Sequence, residues 1–356
     1  MKIDGIEIWD YNSIIGVEWN QAADTWKRID EHGRAITSIP LALSDLFFDR
    51  HSIWGRMRRC TLADNGIVNS YGANPRGDGL TKNGADGQVM VQIPKCYSKA
   101  ANPSANVYQQ WLSPYAETGF VVDPLFKQRG GTERDYIYVG AYEANNDGGA
   151  PNKLRSITGA AVDNNKTIAT FRTNAENRGS TRWGIMGIHT LSLLRRLFYI
   201  EYAGADSQSL IGRGRVDAAS GLATGADSAD TNIGVNGTGT GTGTNGLTPI
   251  VWRCIENPWG NYWKYIDGYN AVDAEYRIIN RDGSGTFQDT LAVGDYEAST
   301  AAPITADGYQ SNILYEDNQM KLLMIPNAVA GASTSHLYDF LYAHDATETN
   351  ILLFGG

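Results

Sequence analysis

The stretch ENPWGNYWKYIDGYN, residues 256–270, sets Trp259 and Trp263 four positions apart with Gly260 and Asn261 between them and Asp267-Gly268 just beyond. Two indoles so close to a Gly-Asn pair pose a choice between a rigid scaffold and a reactive pocket. The apolar run PIVWRCIENP (249–258) leads into the stretch, and Asp-Gly is a hairpin-type turn signal. The pair is therefore expected on a strand or tight turn entering a hairpin. A buried Trp contributes a large apolar area and needs an acceptor for its N–H, while glycine beside it admits a second backbone. The stretch reads as scaffold, built on Asn257, Trp259, Gly260, Asn261 and Trp263, with the Trp263 indole in the core.

Outward from there, GQVMVQIPKCY (87–97) sets Val89, Val91 and Ile93 on one face and stops at Pro94, the pattern of a strand. RDYIYVGAYEA (134–144) repeats it. IIGVEWNQAADTWKRID (14–30) alternates Ile15, Val17 and Trp19, and NSYGANPRGDGLTKNGADG (69–87) is a Gly/Asn-rich loop, so residues 1–85 read as a small β-rich module. IHTLSLLRRLFYIEYA (188–203) places Leu191, Leu194, Leu197 and Phe198 at helical spacing and leaves Arg195, Arg196 and Glu201 for other faces. It predicts one amphipathic helix. GADSADTNIGVNGTGTGTGTNGLT (225–248) offers almost nothing to bury, and residues 218–248 are expected to form a mobile surface loop.

Composition narrows the function classes. The chain of 356 residues is long enough to bury a sizeable core, and its 40 Gly, 19 Tyr and 19% charged residues favour strands and loops. A net charge of -9 argues against a phosphate-backbone binder, so nucleic acid is not an expected partner. Cys60, Cys96 and Cys254 show neither a disulfide framework nor zinc-ligand spacing. MKIDGIEIWDYNSII at the start has no signal-peptide core, and no run approaches the roughly 20 apolar residues that span a bilayer.

ENPWGNYWKYIDG is similar to the Gly-Asn-x-Trp-x-Trp stretch of formylglycine-generating, sulfatase-modifying proteins, with Gly260, Asn261, Trp263 and the aromatic Tyr265 at the matching places. Six segments in order, from DGQVMVQIPKCYSK through WLSPYAETGFVVDPLF, DYIYVGAYEA, KLRSITG and GIHTLSLLRRLFYIEYAGADSQSLIGRGR to ENPWGNYWKYIDG, resemble the phage tail and prophage variable proteins of that fold. The resemblance implies an α+β fold with a C-type lectin-like domain over 86–356. It implies a receptor-binding role at a virion tail or extracellular surface, in a group diversified by retroelements. The partner would be a cell-surface protein or glycan, with no cofactor, no membrane insertion and room for a homo-oligomer on the virion.

Catalysis is not expected. The enzymatic branch of that fold uses paired cysteines or an iron-binding histidine cluster in its C-terminal half. Here Cys254 lies inside the scaffold motif, Cys60 and Cys96 lie upstream, and His32, His51, His189, His336 and His344 show no i, i+4 pair. Asp135, Glu143, Asp147 and Asp206 lack calcium-loop spacing and read as surface or turn acids. Arg195, Arg196, Arg213 and Arg215 are expected to pair with Glu201 or helix C-terminal carbonyls rather than to bind an anion.

Display is the alternative chemistry. SHLYDFLYAHDATETNILLFGG (335–356) puts Tyr338, Phe340, Tyr342 and His344 on one face of a period-2 segment. With Asp339, Asp345, Glu348 and Asn350 these are the expected ligand-binding residues, a mixture of rigid aromatics and adaptable polar groups. Relatives of the resembled group continue past FGG, so Leu352, Leu353 and Phe354 are expected to seek a neighbouring strand.

Overall fold

A computed structural model describes residues 2–3, 6–7, 11–36, 47–127, 131–225, 233–240, 245–272, 275–280, 285–287, 294–330, 340–341 and 350–354. Ile15, Val17 and Trp19 are buried on β1 (Ile15–Asn20), which turns back into β2 (Thr25–Ile29). There follow β3 (Arg58–Leu62), β4 (Val68–Tyr71), β5 (Gln88–Pro94), β6 (Tyr97–Ser104), β7 (Val107–Ser113), β8 (Val121–Val122) and β9 (Tyr136–Gly140). They form two antiparallel sheets, ordered β8-β6-β7-β1-β2 and β9-β5-β3-β4.

Strand pairing crosses the boundary expected near residue 85. Trp19 of β1 pairs with Tyr108 of β7, and Cys60 of β3 pairs with Met90 of β5. The physical reason is that two isolated hairpins would leave edge N–H and C=O groups unpaired, and the later strands supply the partners.

Two helices of 9 and 15 residues follow. α1 (Ile168–Glu176) starts at Thr167, whose Oγ1 accepts from the Thr170 N–H, a Thr-x-x-Thr cap that the hydrophobic pattern alone does not reveal. α2 (Ile188–Tyr202) is the principal helix, as its leucine spacing predicts. It is not amphipathic in place: Arg195, Arg196 and Glu201 are as buried as Leu193 and Leu197. Leu193, Leu197 and Ile200 pack with β1 and β5, whereas Ile188 and Leu191 pack with the C-terminal sheet described next, so one helix joins two cores. It stops at Ala203, which turns left-handed before Gly204.

Beyond it lie β10 (Ile250–Trp252), β11 (Ile255–Glu256), β12 (Lys264–Val272), β13 (Glu275–Ile279), β14 (Tyr296–Ala298), β15 (Gly308–Ile313), β16 (Pro326–Ala330), β17 (Phe340–Leu341) and β18 (Asn350–Phe354). The sheet β14-β13-β12-β18 is antiparallel. The apolar end finds its strand there, Leu353 opposite Tyr265 and Phe354 opposite Lys264.

Asp267-Gly268 is not a hairpin turn. It lies inside β12 at a register shift, with Gly268 at φ +76° and so close to Ile279 that a Cβ would meet Cγ2 at 2.6 Å. Asp267 is sealed from water there and takes both ends of the Arg172 guanidinium at 3.1 and 2.8 Å, tying β12 to α1.

Few helices and many antiparallel sheets give the described residues a mixed architecture, of the α+β or β-rich kind. No described helix is long and apolar enough to cross a membrane. The described parts of 218–248 make contacts with the rest of the chain. Thr224 is buried and exchanges backbone hydrogen bonds with Gly159 and Ala160, and Ile233 packs on Val251. Within the Gly/Thr run, the Gly237 carbonyl accepts from the Cys254 N–H at 2.7 Å, and Gly239 and Thr240 pair with Val251 and Ile250.

Candidate functional site

The turn 257–263 explains its own composition. Asn257, Gly260 and Asn261 have φ of +47°, +75° and +67°, a region that glycine enters freely and asparagine tolerates. A Cβ on Gly260 would lie 2.7 Å from the Arg215 backbone nitrogen, so the close approach of a second backbone that the sequence suggests is what the glycine permits. The turn throws the two indoles to opposite sides. Trp259 meets Phe198 of α2 edge-on at 5.8 Å and donates its N–H to the Gly212 carbonyl at 3.1 Å. Trp263 does not enter the core: it is 43% exposed, because the left-handed residues break any simple period between positions 259 and 263.

Trp263 lines a cleft of about 850 Å³. One wall is the turn itself with Tyr262 and β12, another is the segment after β9, and α1 with its flanking loops closes the third. Phe171 of α1 and Tyr265 of β12 both line it, their tilted rings 6.0 Å apart between centroids. Tyr262 is seated directly over Gly221, where any Cβ would collide with the ring.

Glu143 stands at the centre of the polar wall. Its side chain is 6% exposed and lies 3.0 Å from Lys264 Nζ, and it accepts hydrogen bonds from the Asn261 amide and, at 3.4 Å, from the Asn257 amide. The Asn261 amide also holds the backbone of Leu222, accepting from its N–H at 2.8 Å and donating to its carbonyl at 3.3 Å. Lys264 Nζ also donates to the Gly260 and Tyr262 carbonyls at 3.1 Å each. Scaffold motif and cleft wall are thus one network. Glu143 reads from the sequence only as a turn acid, and Lys264 carries no signal beyond its place in the motif.

The other acids are engaged separately. Asp135 pairs with Lys95 at 3.0 Å, Asp147 accepts from the Gly149 and Lys153 backbones, and Asp206 caps a short helical turn. No cluster of three metal-ligating side chains occurs among the described residues. His51 and His189 are buried and hydrogen-bonded to the Ser13 and Ile279 carbonyls.

The helix arginines have partners other than those expected. Arg196 pairs with Asp123, Arg195 reaches Tyr199, Gln310 and the Met324 carbonyl, and Glu201 binds the Trp252 N–H and Arg253. The helix C-terminal carbonyls of Ile200 and Glu201 are served by Arg28 of β2. Arg213 pairs with Asp217, and Arg215 donates to the Leu247 and Ser220 carbonyls.

All three cysteines are buried, and burial pushes the Cys60 thiol up to about 12 and the Cys96 thiol well above its usual value. Cys254 Sγ donates to the Pro75 carbonyl at 3.0 Å. In the cleft, burial first and then the neighbouring Tyr71, Cys60 and Tyr136 raise the Tyr138 phenol to about 12, so it stays protonated and is no base at neutral pH.

Of the expected ligand row, Tyr338, Asp339, Tyr342, His344, Asp345 and Glu348 lie outside the described residues. Phe340 lies on β17, opposite Tyr309 of β15, and Asn350 lies on β18, opposite Ala271 of β12. The two belong to different sheets. No protein-family model matches the chain, and a search of curated proteins finds no match.

Proposed function

We propose that the chain is a non-catalytic ligand-binding protein with a C-type lectin-like domain of the formylglycine-generating type, acting as a receptor-binding component of a viral or prophage tail. The observation that carries the binding role is the cleft. A half-exposed indole and a tyrosine line it, and several of its charged groups are held in ion pairs: Glu143 with Lys264, Asp163 with Lys166 and Arg178 with Asp64 outside the cleft. Groups so paired are poor proton shuttles but make a rigid recognition surface. The tail assignment rests on the six-segment resemblance. The test is adsorption of fluorescently labelled protein to a panel of bacterial and eukaryotic cells, with Trp263→Ala alongside. Saturable adsorption weakened by the substitution is expected; adsorption that ignores it would place the binding surface elsewhere. Stoichiometric copper or iron in the purified protein would point to an oxidase instead.

A further inference from the structure

We infer that the outer face of the sheet β9-β5-β3-β4 is a docking surface in its own right, and that its partner is a protein segment carrying carboxylates. Strand alternation builds the face. Val89, Val91 and Ile93 of β5 point into the larger core, so Gln92 between them points the other way, with Tyr138 of β9 and Arg58 of β3 opposite it on either side. Tyr136 lies two residues from Tyr138 on the same strand, and Tyr71 of β4 lies opposite Cys60, two residues from Arg58. Tyr71 is 48% exposed, and Arg56, just before β3, is exposed as well. Of these six side chains only Tyr138 also lines the cleft.

Charge selects the partner. The Arg58 guanidinium sits 4.5 Å over the Tyr71 ring and donates to the Gly72 carbonyl at 2.9 Å, while its Nε is buried with no hydrogen bond among the described residues. Arg56 donates to the Tyr136 hydroxyl at 2.9 Å. Neither has a carboxylate partner among the described residues, unlike Arg178, Arg196 and Arg253. More positive charge gathers beside β9, where burial first and then the nearby Arg182 hold the Arg134 guanidinium below its usual value. Glu133 and Asp135, which flank Arg134, are both taken by Lys95, at 2.9 and 3.0 Å. A chain of net charge -9 thus presents guanidiniums without counter-charges on one face. A guanidinium matches a carboxylate through two parallel hydrogen bonds.

Composition favours a protein over a polyanion. Tyr and Arg are the side chains enriched at protein–protein contacts and among the residues that dominate their binding energy. Here they are ordered in advance: the Tyr71 hydroxyl donates to Gln92 Oε1 at 2.7 Å, and the Tyr138 hydroxyl stands 3.5 Å from the same oxygen. Little side-chain freedom is left to lose on docking. A nucleic acid or sulfated polymer would bring dense negative charge up to a molecule of net charge -9, and the rest of the surface would repel it. A protein segment brings a few carboxylates together with apolar area for the tyrosines.

The experiment selects a displayed library of random peptides on the wild-type protein and titrates the enriched peptides against Arg56→Gln, Arg58→Gln and Trp263→Ala. Enrichment of Asp and Glu is expected, with binding weakened at least tenfold by Arg56→Gln and by Arg58→Gln, weakened by added salt, and unchanged in Trp263→Ala. Melting temperatures check the fold of each variant; if Arg58→Gln unfolds, the exposed Arg56 carries the test. No enrichment, or enriched peptides indifferent to both arginines, would overturn the proposal. Peptides lost with Trp263→Ala alone would overturn it too, while leaving the cleft as a binding site. Two further measurements can overturn the choice of partner: retention on heparin that both arginine variants abolish would make the occupant a polyanion, and a dimer in sedimentation that Arg56→Gln dissociates would make it a second copy of the chain.

Discussion

Arg196 Nη1 lies 2.8 Å from Asp123 Oδ2, and the two side chains are 1% and 3% exposed. The pair locks the middle of α2 to the turn after β8. Its remaining valences are filled as well: Ser98 Oγ donates to the same carboxylate oxygen at 2.6 Å, and Arg196 reaches Gln110 and the Leu322 carbonyl. A buried charge pair is tolerated when no member is left unsatisfied.

Removing one partner should therefore be costly. Arg196→Met strands the Asp123 carboxylate in the interior and is expected to destabilise by about 3 to 5 kcal/mol. Arg196→Met/Asp123→Leu should recover part of that loss, although Asp123 also caps the turn at Pro124–Phe126. Urea midpoints of the three proteins, compared at constant slope, decide the matter.

These partners show where sequence reading stops. Val89, Val91 and Ile93 announce β5, and the leucines of α2 announce the helix, because period and apolarity are local properties. The arginines between those leucines look solvent-bound, since the acids that meet them arrive from elsewhere: Asp123 is 73 residues from Arg196, and Arg253 is 52 from Glu201. The Gly-Asn pair correctly signals close backbone approach at Gly260, yet spacing cannot tell which indole turns inward across two left-handed residues. The cleft is invisible to a linear reading, because its walls come from α1, the segment after β9 and the turn 257–263.

The thiols give a second test. With all three buried and the Cys60 thiol pushed to about 12 by burial, iodoacetamide at neutral to mildly alkaline pH should leave the folded protein unmodified. Three carbamidomethyl groups should appear by mass spectrometry once urea unfolds it. A fast-reacting thiol in the native protein would reopen covalent chemistry.

A third concerns acid. Asp78 is held at about 2, below its ordinary 3.8, chiefly by hydrogen bonds from Arg76 and then from Asn74. Because the folded value is depressed, this contribution is present above the ordinary value and disappears as pH falls through about 2. Asp78→Asn should melt slightly below wild type at about pH 6, with the gap closing toward about pH 2 and shrinking in high salt. A gap that widens on acidification would show that the loop 72–80 is not held by this carboxylate.

The two indoles of the motif provide the sharpest contrast. Trp259 packs edge-on against Phe198 and has its N–H satisfied by Gly212, so Trp259→Ala removes a ring from the rim of the larger core and is expected to cost about 3 kcal/mol. Trp263 is 43% exposed on the cleft, and Trp263→Ala should shift stability by no more than about 0.5 kcal/mol. Binding should follow the opposite order, with Trp263→Ala weakening adsorption and conservative changes at Trp259 leaving it intact wherever the protein stays folded. Urea midpoints and binding isotherms on the same preparations separate the roles. If Trp263→Ala proved the more destabilising of the two, the indole would belong to the core, and the wall of the cleft would have to be redrawn without it.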